Sequence, residues 1–500
     1  MVKCATTIAL AFIQLEHSSS IPLYMQLYEQ LRRAILSGQL QAEVRLPSTR
    51  DLAATLRVSR NTVKAAFDQL LAEGYIEGRV GAGTYVASVP VESTMQVQAD
   101  VHSSSCPLIV PPVLSKNGTS LLAQNILLDR QHKQLRAFRP CVPALDAFPT
   151  EIWSRLMTRH WRNPDPSLLN YGEAQGYRPL RELIADYLRL SRAIRCVPDQ
   201  IVMVAGFQQA LSLAARVLLD PGDAVWIEEP GYLGAQTVLQ SVGATLVPVS
   251  VDSEGIHVEV GMSKHPTAKL AYVTPSHQFP LGVTMSLSRR LALLQWAHQT
   301  GAWILEDDYD SEYRYTGNPL SALQALDQSE CVIYVGTFSK VLFPSLRLGY
   351  LVVPPNLVEV FAAARALSDR HSPLIEQAVL ADFMAEGHFT RHIRRMRVLY
   401  AERQAALIEA AQPLKPMIEI APCNTGMHLV GWLPDGVDDR LVSQHLAQQG
   451  VIAPPLSRYC LEPAAKSGLV LGYTAVDSHQ IGQAMHYVND VLQDWVTHES

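Results

Sequence analysis

The 500-residue chain contains no C-x-x-C pair, and its seven cysteines are odd in number and irregular in spacing. That excludes a disulfide framework and leaves no zinc-ligand spacing, so no metal site is expected. A reducing, cytoplasmic setting fits this cysteine usage. No apolar stretch reaches the roughly 18 residues that a membrane-spanning helix needs, so no membrane partner is expected. The opening "MVKCATTIALAFIQLEH" lacks a clear small-residue cleavage site and runs into a helical pattern at Glu16-His17, so it is not read as a secretory leader. No internal repeat of fixed period is present. Net positive charge is also absent: the balance is −6, which excludes a chain that coats nucleic acid along its whole length.

The charge is unevenly spread. Residues 21–90 hold eight Lys/Arg and six acids, a local balance of +2, which leaves −8 for the rest. In this segment "IPLYMQLYEQLRRAILSGQL" places Leu23, Leu27, Leu31, Ile35 and Leu36 at helical spacing and stops at Gly38. "LPSTRDLAATLRV" offers Ser48 as an N-cap with Asp51 three positions on. "VSRNTVKAAFDQLLAEG" offers Ser59 as a cap, puts Val63, Ala66, Phe67, Leu70 and Leu71 on one face, and ends at Gly74. "YIEGRVGAGTYVA" reads as two short strands around a Gly-rich turn. Helix, helix, helix, hairpin is a winged helix-turn-helix, here over residues 18–88.

Such a unit lays its second motif helix in the major groove, where N-terminal residues meet base edges. Arg60 can pair with guanine and Asn61 with adenine, with Lys64 one turn on. Ser48, Ser59 and Thr62 can hold phosphates at helix N-termini. Arg50 can meet the backbone, and Arg79 with the wing residues Gly81, Gly83 and Thr84 can approach the minor groove. These residues predict double-stranded DNA as a partner.

Residues 89–135 lose periodicity and are rich in Ser, Pro and Val, which reads as an interdomain linker, with a partly helical stretch over 118–135. From 136 to 500, strand-like runs alternate with helical segments, implying a largely parallel sheet covered on both faces and then a smaller α+β lobe.

Within this region "VGTFSKVLFPSLRLG" sets Lys340 among small hydroxyl residues, seven positions before Arg347. A lysine amine attacks an aldehyde when it is held close and partly deprotonated, and pyridoxal phosphate also requires a carboxylate for its ring nitrogen and donors for its phosphate. "AWILEDDYD" ends a strand in acids, placing Asp307 to face the nitrogen and Tyr309 the ring oxygen. Gly206, Phe207 and Gln208 open a helix after a strand, an anion site, while Thr337, Ser339 and Arg347 can join at the phosphate. Tyr232 is placed to stack on the ring.

These strings resemble known families. "LPSTR", "SRNTV" and "GAGTYV" resemble the GntR family of bacterial regulators over about residues 20–88. "NYGEAQGYRPLRELIADYL", "AGFQQAL", "EEPGYLGA", "PSHQFPLGVTMS", "EDDYDSEYRY" and "GTFSKVLFPSLRLGY" resemble fold-type I aminotransferases over about 136–500. Together they resemble the MocR subfamily. The resemblance implies an α/β protein: a winged helix-turn-helix fused to a fold-type I aminotransferase-like domain. It implies pyridoxal 5'-phosphate carried on Lys340 as an internal aldimine, and a head-to-tail homodimer in which Tyr171 reaches the neighbouring subunit's phosphate. It implies a regulator sensing a small amine or a B6 vitamer rather than an enzyme; the alternative is an active aminotransferase with a regulatory head. Two departures stand out. Phe279 occupies the place of the family's Asn before Pro-x-Gly, with His277 nearby. Val470 stands where aminotransferases carry a carboxylate-binding Arg, and Arg458 is the candidate to compensate.

Overall fold

The computed structural model describes residues 12–79, 82–87, 113–115, 118–119, 136–317 and 320–498, with side chains of the last helix described through residue 493. The chain divides into two compact units, Met1–Pro111 and Pro112–Ser500. Nearly all of the expected linker lies outside the described residues, as does Gly81 at the wing tip.

In the first unit, α1 (Leu23–Leu36), α2 (Thr49–Leu56) and α3 (Arg60–Ala72) precede the antiparallel strands β1 (Ile76–Arg79) and β2 (Gly83–Val86). The core follows the predicted helical spacing, except that Leu23 and Leu36 are only partly buried and stay outside it. Leu27, Leu31 and Ile35 of α1 meet Val63, Ala66, Phe67 and Leu70 of α3, and Ile76 and Val86 close it from the hairpin. Leu71 departs from the expectation and is 40% exposed. One residue past Leu70 is a 100° rotation on a helix, which carries it off the buried face. Ser48 accepts the Asp51 N–H at 3.1 Å and Ser59 the Thr62 N–H at 3.1 Å, so both caps form as read.

The second unit is built on an eight-stranded sheet. Its strands are β3 (Ile201–Val204), β4 (Ala224–Glu229), β5 (Thr245–Asp252), β6 (Gly255–Ile256), β7 (Leu270–Val273), β8 (Trp303–Asp308), β9 (Val332–Thr337) and β10 (Gly349–Val352). The spatial order is β3-β10-β9-β8-β7-β4-β5-β6. Strands β9, β8, β7, β4 and β5 are parallel; β10 runs against both its neighbours, and β6 against β5. Both faces are buried, and the two-residue strand period shows it. Ile201 and Met203 enter one core with the helices Arg178–Arg192 and Leu374–Ala385, while Val202 and Val204 enter another with the helix Phe207–Leu218. A third cluster stacks Trp226 of β4 on Trp296 of the helix Leu287–Thr300, centroids 3.8 Å apart.

The smaller lobe carries an antiparallel sheet of β11 (Glu419–Ile420), β12 (His428–Trp432) and β13 (Gly468–Gly472), packed on the helices His388–Ala411 and Ser478–His498. A strap of residues 137–142 is fastened to this lobe. Gly472 donates to the Phe138 carbonyl at 2.9 Å, Ile452 to that of Ala137 at 3.1 Å, and the Thr474 hydroxyl to that of Val142 at 2.5 Å.

Candidate functional site

In the first unit the groove-reading residues sit at the start of α3. Ser59, Arg60, Asn61 and Lys64 are exposed, as is Arg50 on α2, and among the described residues Arg50, Arg60, Asn61 and Lys64 have no side-chain partner. Forming the Ser59 cap fixes where the chain enters the helix and so aims Arg60 and Asn61 outward. The Ser48 hydroxyl is also bonded to the Asp51 carboxylate at 2.7 Å, and that of Ser59 to the Thr62 hydroxyl at 2.8 Å. Arg79 is held by Glu43 at 2.5 Å and Glu77 at 2.6 Å and lies over the Tyr85 ring. Gly83, at φ 110°, leaves room for the Arg45 guanidinium, and the Thr84 carbonyl is taken by Leu46 N–H. The exposed cationic surface is therefore the α2–α3 face, while the described wing is internally tied.

In the second unit a cleft of about 430 Å³ opens at the carboxyl ends of the parallel strands. Strand β8 delivers Asp307 and Tyr309, β9 delivers Thr337, Ser339 and Lys340, and the turns after β3 and β4 deliver Phe207, Gln208 and Tyr232. Arg347 completes the lining. Gly206 lies just behind it at φ 104°, and a Cβ there would stand 3.0 Å from the Arg347 guanidinium. Glycine thus lets a cation reach the N-terminal end of the helix Phe207–Leu218, where first-turn N–H groups lack intrahelical acceptors. The Ser339 hydroxyl is buried with no partner. Cation, helix end and idle hydroxyl together form a cradle for a phosphate.

Lys340 donates to the Cys141 carbonyl at 2.9 Å. Asp307 is buried and accepts one hydrogen bond, from Tyr272 at 2.7 Å. Burial drives its carboxyl well above the usual range, the Tyr272 bond opposes this, and neighbouring acids add to it. A cationic ring nitrogen would compensate such a carboxylate. Orphaned serine, uncompensated carboxylate and resting lysine fit pyridoxal phosphate as a set.

Gln208 and Tyr309 line the cleft with their polar ends bonded to neighbouring side chains, and Tyr171 lies outside it. The Gln208 side chain donates to the Tyr232 hydroxyl at 2.9 Å, which ties that ring in place. The Tyr309 hydroxyl meets His277 Nδ1 at 3.0 Å, and the same nitrogen meets Asp310 at 2.9 Å. Tyr171 is absent from this cleft; it is 74% exposed beneath Arg370, 4.8 Å away. Val470 is fully buried against Phe279, Tyr309, Val430, Leu456 and Tyr459, and Arg458 lines the cleft from the smaller lobe.

Residues 23–86 match the model of bacterial regulatory proteins of the gntR family, and residues 140–472 that of aminotransferase class I and II. Over 464 residues, spanning 93% of this chain and 92% of the relative, the sequence is 43% identical to the probable rhizopine catabolism regulatory protein MocR of Rhizobium meliloti. The chain belongs to the MocR family. As a MocR-type protein it is a DNA-binding transcriptional regulator with an aminotransferase-like domain. It is also 33% identical to the pyridoxine biosynthesis regulator PdxR of Corynebacterium glutamicum, over 95% of this chain and 96% of that one. Among solved structures, the α-aminoadipate aminotransferase LysN of Thermus thermophilus, complexed with N-(5'-phosphopyridoxyl)-L-leucine, aligns at TM-score 0.70 and 26% identity over 77% of this chain and 98% of that one.

Several members of this MocR-family site were not singled out from sequence. Tyr272 lies 35 positions from Asp307, Asp310 lies 33 from His277, and Cys141 lies 199 from Lys340. The strand-terminal acids of "EDDYD" were the available signal for Asp310. Nothing local marks the other two.

Proposed function

We propose that this regulator binds pyridoxal phosphate on Lys340 and uses it to sense a small primary amine, with α3 reading the operator. The observation that carries this reading is the convergence of Lys340, Asp307 and the Gly206–Ser339–Arg347 cradle in one cleft. When bound, the cofactor supplies an aldehyde that condenses with amines and a ring that withdraws electrons. The chain's own residues do the rest. Arg347, Ser339, Thr337 and the helix end hold the phosphate, Asp307 holds the ring-nitrogen proton, and Tyr232 and Phe279 wall the ring.

His277 orients Tyr309. Burial alone would lower its pKa, but the Asp310 charge and hydrogen bond raise it to about 10. The imidazolium is charged at neutral pH, and its Nδ1–H is shared between Asp310 and the Tyr309 oxygen. The Tyr309 proton is then free to point into the cleft, toward the ring oxygen.

A regulatory rather than metabolic role is supported by Val470. A buried aliphatic side chain cannot clamp a carboxylate, so efficient turnover of α-amino acids is disfavoured, and Arg458 at the cleft is left to meet an acidic group of an effector. The relationship to PdxR favours a second effector, a B6 vitamer itself. Tyr171, exposed and outside its own cleft, supports a homodimer in which it serves the partner's site. The test is borohydride reduction of the cofactor-loaded protein, peptide mapping of the fixed group, and operator titration with and without amines or vitamers. Fixation away from Lys340, or operator affinity indifferent to every amine and vitamer, overturns the proposal.

A further inference from the structure

Arg458 is exposed, and among the described residues its guanidinium has no hydrogen-bonded or ionic partner, yet it lines the cleft from the smaller lobe. An arginine on a loose loop selects little, because ordering it at binding costs conformational entropy. The loop beneath Arg458 is tied at both ends, around the short helix Leu456–Tyr459. On the smaller-lobe side the buried Asp439 accepts the Ser457 N–H at 2.9 Å and the Ser457 hydroxyl at 2.6 Å, and Val470 donates to the Pro454 carbonyl at 2.9 Å.

On the other side the loop is bonded to the end of β4 in the large sheet. One oxygen of Glu229, Oε1, accepts the N–H of Leu461 at 2.8 Å and that of Glu462 at 3.1 Å. The Tyr459 carbonyl accepts from the Gly231 N–H at 3.0 Å and from the Gln236 side chain at 3.3 Å. Lys264 pairs with the Glu462 carboxylate at 2.9 Å. Burial pushes the Glu229 carboxyl up, and its two N–H bonds oppose that shift. Two consecutive N–H groups on one anionic oxygen make a charge-assisted, directional clamp. Glu229 is not part of the cleft lining, but the turn that begins there carries Tyr232 to the ring wall. The clamp therefore fixes the loop of Arg458 against the same segment that shapes the cofactor site.

We infer that Glu229 is a positioning residue for effector selection: by holding this loop it keeps Arg458 at the cleft, and so favours primary amines that also carry a carboxylate over plain amines. The inference rests on the reading under Proposed function that Lys340 carries the cofactor and that the amine joins there. Glu229 acts through Arg458 and touches no ligand itself.

The test has two arms, both on the full chain. Without cofactor, hydrogen–deuterium exchange is followed over residues 459–462, with the rest of the second unit as the control for folding. Exchange there is expected to be about tenfold faster or more in Glu229→Ala, and close to wild type in Glu229→Gln, which keeps an accepting oxygen. With cofactor loaded, matched pairs are titrated by cofactor absorbance: 3-aminopropanoate with propylamine, 4-aminobutanoate with butylamine, and 5-aminopentanoate with pentylamine. Wild type is expected to prefer the acid of at least one pair by about tenfold or more, and Arg458→Ala to abolish the preference. Glu229→Ala is expected to cut it about threefold or more, and Glu229→Gln to restore it. Ser457→Ala, which loosens the loop from its other end, is expected to lower it as well. No preference in wild type, a preference that survives both Glu229→Ala and Ser457→Ala, or unchanged exchange in Glu229→Ala overturns the inference. Absence of borohydride fixation on Lys340 defeats the reading under Proposed function instead, and the exchange arm, which needs no cofactor, still reads the clamp.

Discussion

The two functional surfaces of this chain are built in opposite ways. On the α3 face, Arg60, Asn61 and Lys64 are exposed and unpartnered among the described residues, and five consecutive positions after the Ser59 cap contain all of them. In the cleft Asp307 and Tyr309, and behind Tyr309 the pair His277 and Asp310, are buried, and each is held by a residue tens of positions away. A surface that reads a long anionic ligand keeps its polar groups solvated until binding, because water satisfies them cheaply. A site that grips a small cofactor holds its polar groups in low dielectric, where each unsatisfied one is costly until the ligand arrives. The first should tolerate substitution without unfolding; the second should respond to its ligand as a change in stability.

Lys340→Ala should give the largest separation between the two. Fixation of pyridoxal phosphate by borohydride should disappear, while effector-free operator binding stays within about twofold by fluorescence anisotropy, since exposed α3 contacts do not depend on the lysine. Arg60→Ala should do the reverse. Loss of one bidentate base contact is worth about 1–3 kcal/mol, roughly 5- to 150-fold in operator affinity, with cofactor fixation intact. Lys64→Ala should lower the salt slope of binding by about one unit whatever the operator sequence.

The pH dependence of unfolding sharpens the contrast further. Burial holds the Glu228 carboxyl up at about 7, and that of Asp307 well above its usual range, although hydrogen bonds oppose both shifts. Folded carboxyls that keep their protons longer than unfolded ones contribute most at low pH. That contribution is lost as pH rises from about 4.5 toward the folded value. Urea midpoints of the cofactor-free second unit, followed in the full chain, should therefore fall from pH 4.5 to pH 7. Pyridoxal phosphate should stabilise more strongly at the higher pH, and Asp307→Asn should remove that gain. The smallest effect belongs to the other surface: Ser59→Ala deletes a cap and should cost about 1 kcal/mol in the first unit, read as a shift in its thermal midpoint.

How much was legible follows the same division. Ser59, Arg60, Asn61 and Lys64 are neighbours in sequence, so a cap and a helical period suffice to find them. Lys340, Asp307 and Arg347 were found because strand ends carry ligand groups, and the sheet does bring them together. Tyr272, Asp310 and the Cys141 carbonyl escaped because parallel strands pair residues from separate crossovers, and a carbonyl leaves no mark in side-chain identity. Leu71 reads as core because an apolar neighbour of a core leucine looks like core until the rotation is counted, and the structure has it at the exposed edge of that face.

The strap of residues 137–142 joins what the two ends of the second unit do. It is tied to the smaller lobe by Ile452 at Ala137, Gly472 at Phe138 and Thr474 at Val142, and between those ties the Cys141 carbonyl receives the Lys340 ammonium. A ligand joined to that amine would withdraw a donor from the strap between its ties at Phe138 and Val142.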